Sequence, residues 1–451
     1  MVNEKVFKPY DVRGIYPDEL NEDAAKQIAM AYAGLIKPHT VAVGSDVRVS
    51  SPSLKKAVIE GLNAQGVDVI DLGVVPTEMV YFAVGSLNLS GGIQVTASHN
   101  PAEYNGMVMV RENVDPISSD NGLLQMRDLL REGEILPSKT VGKVEQKDLS
   151  EEYLNYLASR VNLSGLPPLK IVANNNFGVT GPLALRLLTK MGLSQLQIVT
   201  LNFQPDGSFP KGRPDPLVVE NRAEVSELVN QYGADLAVAW DVDGDRCYIT
   251  DENGQFIEGC HLTAILADHL LKKFKGEKIV YDPRNVWAVE ETVRQDGGIP
   301  LMNKAGHTFI KDRMRKEKAL FGGEMSGHSY FRDFYYSDNG LLPFLYFLEI
   351  IKEKKQPVSQ IAAPWRNKYF VSGEVNFRVK DLSQALIQVE GKYPNGQVDR
   401  TDGLSMTFDT WRFNLRGSNT EPLLRLNVEA KDLSTCQARL AELSELVARI
   451  E

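Results

Sequence analysis

Among 451 residues there are only three cysteines, Cys247, Cys260 and Cys436, and none is spaced to pair with another. That excludes a disulfide framework and points to a reducing compartment. No apolar run is long enough to span a bilayer, and the opening MVNEKVFKPYDVRG has no apolar core of a secretory signal, so a cytoplasmic protein without membrane contact is expected. Neither G-x-G-x-x-G nor a Walker loop occurs, which removes the dinucleotide and P-loop readings. Basic residues are outnumbered, 50 against 59 acidic, and the net charge of −9 argues against general nucleic-acid binding. An anionic small molecule stays compatible with that balance, because local arginines and backbone N–H groups outweigh distant acids.

What is present is an alternation of short apolar strands and helices, repeated three times. Strand-like runs begin at Val41, Val67 and Gly92, again at Leu169, Leu196 and Asp235, and again at Lys278, Ile299 and Ala319. Helical segments between them carry clear punctuation: Ser51 as N-cap with Pro52 at the first position and Gly66 past the end, and a second helix from Pro182 to Gly192. Such alternation implies parallel α/β layers, and the chain is too long for one ordinary core. From about Val371 the character changes: RFNLRG and LLRLNVEA read as strands before a last helix with a capping box from Ser434 to Gln437.

The third strand of each triplet runs into a polar cluster, where open α/β sheets bind ligands. The first cluster is Thr96-Ala97-Ser98-His99-Asn100-Pro101, followed by Tyr104-Asn105-Gly106. It reads either as a capped turn or as a ligand-binding turn with free N–H groups. Ser98 beside His99 could be a nucleophile next to a base, although neighbours on a strand point to opposite sides. The second cluster places Asp241, Asp243 and Asp245 at alternate positions ahead of Arg246. In an extended segment the three carboxylates would share one side, a donor set suited to Mg²⁺ beside a phosphate; a solvated acidic turn is the alternative. An EF-hand is rejected despite Glu252 at the twelfth position, because Arg246 stands where that loop needs glycine. The third cluster, GGEMSGHSYF, offers Glu324, Ser326 and His328 between glycines and by itself could be a polar turn. Near the end, Arg416-Gly417-Ser418-Asn419-Thr420-Glu421-Pro422 could be a hairpin turn or a phosphate cradle.

TASHNP with Tyr104-Asn105-Gly106, D-x-D-x-D-R, GEMSGH and RGSNTEP together resemble the α-D-phosphohexomutase superfamily, in that order and over nearly the whole chain. The resemblance implies an intramolecular phosphotransferase interconverting hexose 6-phosphate and hexose 1-phosphate through a phosphoserine at Ser98 and a hexose 1,6-bisphosphate, with added bisphosphate as activator. It implies Mg²⁺ on Asp241, Asp243, Asp245 and a phospho-Ser98 oxygen, with His99, Arg13 and Arg246 in the reaction centre. Tyr10, Arg284, His307, Glu324, Ser326 and His328 would line the substrate, and Arg416, Ser418, Asn419 and Thr420 would hold the non-reacting phosphate. Met325, with Asp282-Pro283-Arg284 and Phe331-Arg332-Asp333-Phe334, looks most like bacterial phosphomannomutases of the GDP-mannose pathway, so mannose phosphates are expected as substrates, and a loop gripping the 3- and 4-hydroxyls would accept glucose phosphates as well.

The implied architecture is three similar α/β domains with mixed, mainly parallel sheets and a C-terminal α+β domain around a central cleft, in a monomer or small homo-oligomer. Its expected bounds are residues 1–146, 147–253, 254–367 and 368–451. One position departs from the pattern: N-G-x-K carries Val108 where the lysine stands, so impaired chemistry is expected. That departure keeps open a sugar-phosphate phosphatase or bisphosphate synthase, and a non-catalytic sugar-phosphate-binding relative.

Overall fold

The structure is a computed structural model and describes residues 2–133, 135–379, 381–417 and 423–450. It consists of α/β domains with mixed sheets, three of them mainly parallel, and a C-terminal antiparallel layer. In contact terms it forms two compact units: residues up to Phe256 with His328–Val358, and Ile257–Gly327 with residues from Ser359 on.

The first sheet has the order β1-β5-β4-β2-β3-β6. It is built from β1 (Val12–Ile15), β2 (Thr40–Ser45), β3 (Asp68–Val74), β4 (Gly91–Val95), β5 (Tyr104–Arg111) and β6 (Val144–Gln146). Strand β2 runs parallel to β3 and β4, whereas β5 is antiparallel to β4 and β1. Because side chains alternate across a strand, Val41, Val43, Ile93, Val95, Met107 and Met109 share the face packed on Ile28, Tyr32, Leu54 and Val58. The opposite face carries Gln94 and meets the helix Thr77–Ser86: a methyl added at Gly92 would lie 2.7 Å from both Val80 and Val84.

The second sheet, β10-β9-β7-β8, comprises β7 (Lys170–Asn174), β8 (Gln197–Leu201), β9 (Leu236–Trp240) and β10 (Cys247–Asp251). All five residues of β9 are buried, as a continuous apolar run in a central strand demands. Then β11 (Lys278–Tyr281) pairs in parallel with β12 (Ile299–Met302) and β13 (Phe321–Gly323). The short antiparallel pair β14 (Ser329–Phe331) and β15 (Ser337–Asp338) belongs to the first unit.

The last sheet is antiparallel, β16-β20-β19-β18-β17, with β16 (Phe370–Phe377), β17 (Gln397–Asp399), β18 (Leu404–Thr407), β19 (Trp411–Gly417) and β20 (Leu424–Ala430). Leu404, Phe413, Leu415, Leu426 and Val428 bury one face against Val389, Leu443 and Val447.

Three local expectations shift. The helix after β2 is Ser51–Ala64, so the N-cap position is Ser50 and not Ser51, and it makes no side-chain cap bond. The helix expected from Pro182 begins at Thr180 and ends at Lys190. The terminal helix Leu433–Ala448 is capped by Asp432, whose carboxylate accepts the Thr435 N–H, rather than by a box starting at Ser434. The Asp432 oxygen satisfies one of the N–H groups left open at the helix start, which places the cap two residues earlier.

Candidate active site

Strand β4 delivers the chain into the turn at Ser98. That residue has φ +48°, a left-handed conformation uncommon for a side chain with a Cβ, worth about 1–3 kcal/mol of strain. Its N–H donates to Thr96 Oγ1 at 2.9 Å, closing the turn. Leaving the extended conformation overturns the strand-neighbour argument: Ser98 Oγ lies 3.3 Å from His99 Nδ1, on the same side. The same hydroxyl donates to Asp241 Oδ2 at 2.9 Å.

The strain is held by a residue the sequence reading missed. Arg48, fully buried, donates from one guanidinium nitrogen to the carbonyls of Pro101 and Tyr104, and from the other to those of Ser98 and Asn100. Its remaining nitrogen is fixed 3.1 Å from Asp46 Oδ2, and Asp46 also accepts from Thr96 and Ser51. A guanidinium forked over four carbonyls fixes the path of residues 98–104, a geometry that lysine cannot reproduce. The signal that could have found it is a repeated Asp-x-Arg: Asp46 pairs with Arg48 as Asp11 pairs with Arg13 and Asp282 with Arg284.

The acidic loop leaves β9 at Asp241 and returns as β10 at Cys247. It is a turn, not the extended segment expected, and Gly244 at φ +78° lets it pass Thr180, whose hydroxyl stands 1.9 Å from where a Cβ would be. The three carboxylates converge nonetheless: one oxygen of each of Asp241, Asp243 and Asp245 lies within 4.8 Å of the others, all buried. Asp243 Oδ2 accepts from Thr77 at 2.8 Å and Thr96 at 3.2 Å, while its buried Oδ1 has no hydrogen-bond partner among the described residues. Burial holds the Asp241 carboxyl well above the usual range, with Asp245 and Asp243 adding to it. Asp243 is pushed up to about 7, by burial first and then by Asp245 and Asp46. Three buried carboxylates with an unsatisfied oxygen and too little cationic charge fit a hard divalent cation with oxygen ligands.

Arg246 stands 3.3 Å from Asp241 and donates from Nε to His328 Nε2 at 3.2 Å; His328 in turn lies 3.6 Å from Asp245. Burial, reinforced by Arg246, Arg213, Arg13 and His328, holds the His99 imidazole well below its ordinary value, so it is neutral at neutral pH. Arg13 donates to Asn100 Oδ1 at 2.8 Å and pairs with Asp11; Tyr10 is half-buried just ahead of β1. Val108 faces Gln94 across β4 and β5, which puts it on the side packed by the Thr77–Ser86 helix, and it is 8% exposed.

Within the second unit, Glu324 follows β13 and accepts the Gly306 N–H at 2.8 Å, with Arg284 at 3.6 Å. Arg284 is bidentate on Asp282, which also accepts the Met325 N–H at 2.7 Å, so the loop after β13 is pinned to the end of β11. Ser326 is half-buried beside it, and His307 opens the helix His307–Glu317. Gly327, at φ +90°, turns the chain after Ser326, and within the first unit His328 lies beside Asp245 and Arg246. Arg416, at the end of β19, is buried and 3.2 Å from Glu374. Ser418, Asn419 and Thr420 lie outside the described residues.

Known proteins resemble the chain along its whole length. Four family descriptions match in order: phosphoglucomutase/phosphomannomutase α/β/α domain I at residues 4–124, domain II at 151–254, domain III at 258–369 and the C-terminal domain at 374–446. A phosphomannomutase of Salmonella montevideo is 44% identical, covering 99% of this chain and 100% of its own. A phosphomannomutase of Escherichia coli K12 is also 44% identical, over 98% of both. Among solved structures, a phosphoglucomutase/phosphomannomutase family protein of Burkholderia thailandensis superposes with a TM-score of 0.88 at 32% identity, covering 100% of this chain and 99% of that one.

Proposed function

Because the chain belongs to the phosphoglucomutase/phosphomannomutase family of α-D-phosphohexomutases, we propose that it interconverts hexose 6-phosphates and hexose 1-phosphates, with mannose phosphates as the main substrates and glucose phosphates also accepted. The observation that carries the reading is Ser98, strained at a strand end with its Oγ against Asp241 and His99. No observation favours a phosphatase, a bisphosphate synthase or a non-catalytic relative.

In the first half-reaction the free hydroxyl of the sugar attacks the phosphorus of phospho-Ser98, and the bond from phosphorus to Ser98 Oγ breaks. The hydroxyl proton has to leave and Oγ has to gain one. Neutral His99, 3.3 Å from Oγ, is placed to carry it between them. Arg246 supplies fixed positive charge beside the transferring group. Mg²⁺ on Asp241, Asp243 and Asp245 would supply the remaining charge neutralisation. The hexose 1,6-bisphosphate then reorients and returns its other phosphate to Ser98, so free bisphosphate would reactivate enzyme that has lost its phosphate. Glu324 and Ser326 would bind sugar hydroxyls, with Tyr10, Arg284, His307 and His328 lining the substrate. Arg416, Ser418, Asn419 and Thr420 would hold whichever phosphate is not reacting.

The test is a coupled assay of mannose 1-phosphate and glucose 1-phosphate conversion, with Mg²⁺ and added bisphosphate. Ser98→Ala is expected to lose nearly all turnover and the phosphate adduct seen by intact-protein mass. Retention of more than about a tenth of wild-type turnover, a change of only ~1.4 kcal/mol in barrier, would falsify the role of Ser98.

A further inference from the structure

Glu374 sits among three arginines. Its Oε2 lies 3.2 Å from the Arg416 guanidinium and 3.9 Å from that of Arg284, and its Oε1 lies 3.2 Å from Arg425. It reaches them because β16 bulges: the register with β20 shifts between Val371 and Glu374, with Gly373 at φ +71°. A bulge that re-aims one side chain is a device of functional edges. Arg416 and Arg425 are direct cross-strand partners on β19 and β20, a like-charge pair that is unfavourable by itself. Arg284 is already committed to Asp282 and Arg416 has Asp402 at 4.0 Å, so Glu374 is the one acid common to all three among the described residues. Its carboxylate, about a fifth exposed, presents two oxygens to the groups that a phosphate would engage with its own.

We propose that Glu374 is a placeholder for phosphate: it neutralises the Arg284, Arg416 and Arg425 cluster when no ligand is bound, and yields Arg416 to the substrate's non-reacting phosphate. This rests on the reading of Arg416 as a phosphate ligand. A placeholder keeps the arginines ordered and the anion site weak, so that the hexose phosphate product is released rather than trapped. Its cost is apparent affinity, because the competent state is only the fraction in which the carboxylate has left.

The decisive measurement is calorimetric titration of the full chain with inorganic phosphate at low salt, for wild type, E374Q, R416Q and the double variant. E374Q is expected to bind phosphate about tenfold tighter, as removal of a like charge beside a bound dianion requires. R416Q should bind more weakly, and the double variant should lose the gain, which assigns it to this cluster and not to the reaction centre. The KM for mannose 1-phosphate should fall in E374Q, with a larger rise in melting temperature on adding phosphate than in wild type. Unchanged or weaker phosphate binding by a folded E374Q makes Glu374 a brace that orients the arginines, and overturns the proposal. If E374Q does not fold, E374D, which draws the charge back from Arg416, should still bind phosphate more tightly than wild type; no gain overturns it equally. Tighter phosphate binding without any mutase turnover would sink the mutase reading alone. Normal turnover with unaltered phosphate binding would sink the placeholder alone.

Discussion

Val108 stands where the resemblance leads one to expect a lysine, and its surroundings bear on what a lysine would do there. It is nearly inaccessible, on the face where Gln94 donates to the Val75 carbonyl while Gln94 Oε1 has no hydrogen-bond partner among the described residues. A lysine there would carry its ammonium along that face, past an acceptor that now has nothing to accept. A positioned acid or base is typically worth ~10²–10⁴-fold in rate. Val108→Lys is therefore expected to raise kcat for mannose 1-phosphate by at least about tenfold, read in the coupled assay at saturating Mg²⁺ and bisphosphate. An unchanged or lower kcat would mean that His99 and the arginines already supply what a lysine there would.

At the level of elements, the reaction centre depends on a turn that would not hold its own shape. Residues 98–104 are fixed by Arg48, three residues past the end of β2, and by Asp46, which holds its guanidinium; they lie 50 and more residues away in sequence but in contact through parallel pairing of β2 with β4. Breaking one partner of a buried ion pair costs about 3–5 kcal/mol because it strands the other charge. Arg48→Met should lower the unfolding free energy by about that much, read as an earlier denaturation midpoint, and reduce turnover strongly, with circular dichroism confirming that the sheet persists. Wild-type turnover in that variant would show that Ser98 keeps its geometry without the guanidinium. Arg48→Lys should restore part of the stability through Asp46 and little of the turnover, since an ammonium cannot reach four carbonyls at once.

For the whole molecule, the acidic cluster ties stability to pH, and Mg²⁺ bound there would tie it to metal. Asp243 has a folded-state pKa of about 7 against an ordinary 3.8, raised by burial first and then by Asp245 and Asp46. The sign follows: without metal, the contribution of this group is present below about 4 and is lost as pH rises through about 7. Metal-free protein in chelator should accordingly lose stability between pH 4 and 8 from this cluster, and saturating Mg²⁺ should restore it at pH 8. Asp243→Asn should weaken both the pH dependence and the rise in melting temperature on adding Mg²⁺, while abolishing most turnover. An equal Mg²⁺-induced rise in wild type and Asp243→Asn would remove Asp243 from the metal site. No helix among the described residues is long and apolar enough to cross a membrane.

The sequence by itself determined the layers and the chemical inventory. Apolar runs such as Leu236–Trp240 have to be buried strands, and the polar clusters that follow them have to lie at strand ends. Ser98, His99, the three aspartates and Arg416 stood out in the sequence because each stands in a short motif of polar or charged residue types. Tertiary structure alone decided how those groups are held. Whether Ser98 faces His99 depends on one positive φ, and the convergence of Asp241, Asp243 and Asp245 depends on a turn at Gly244 and not on alternation along a strand. Arg48 acquires its role only because β2 lies beside β4, and Glu374 only because a bulge in β16 turns it toward Arg416. Periodicity reports which face a side chain shares with its near neighbours in sequence. Electrostatic partners tens to hundreds of residues away are fixed by strand pairing and backbone strain, which no local pattern encodes.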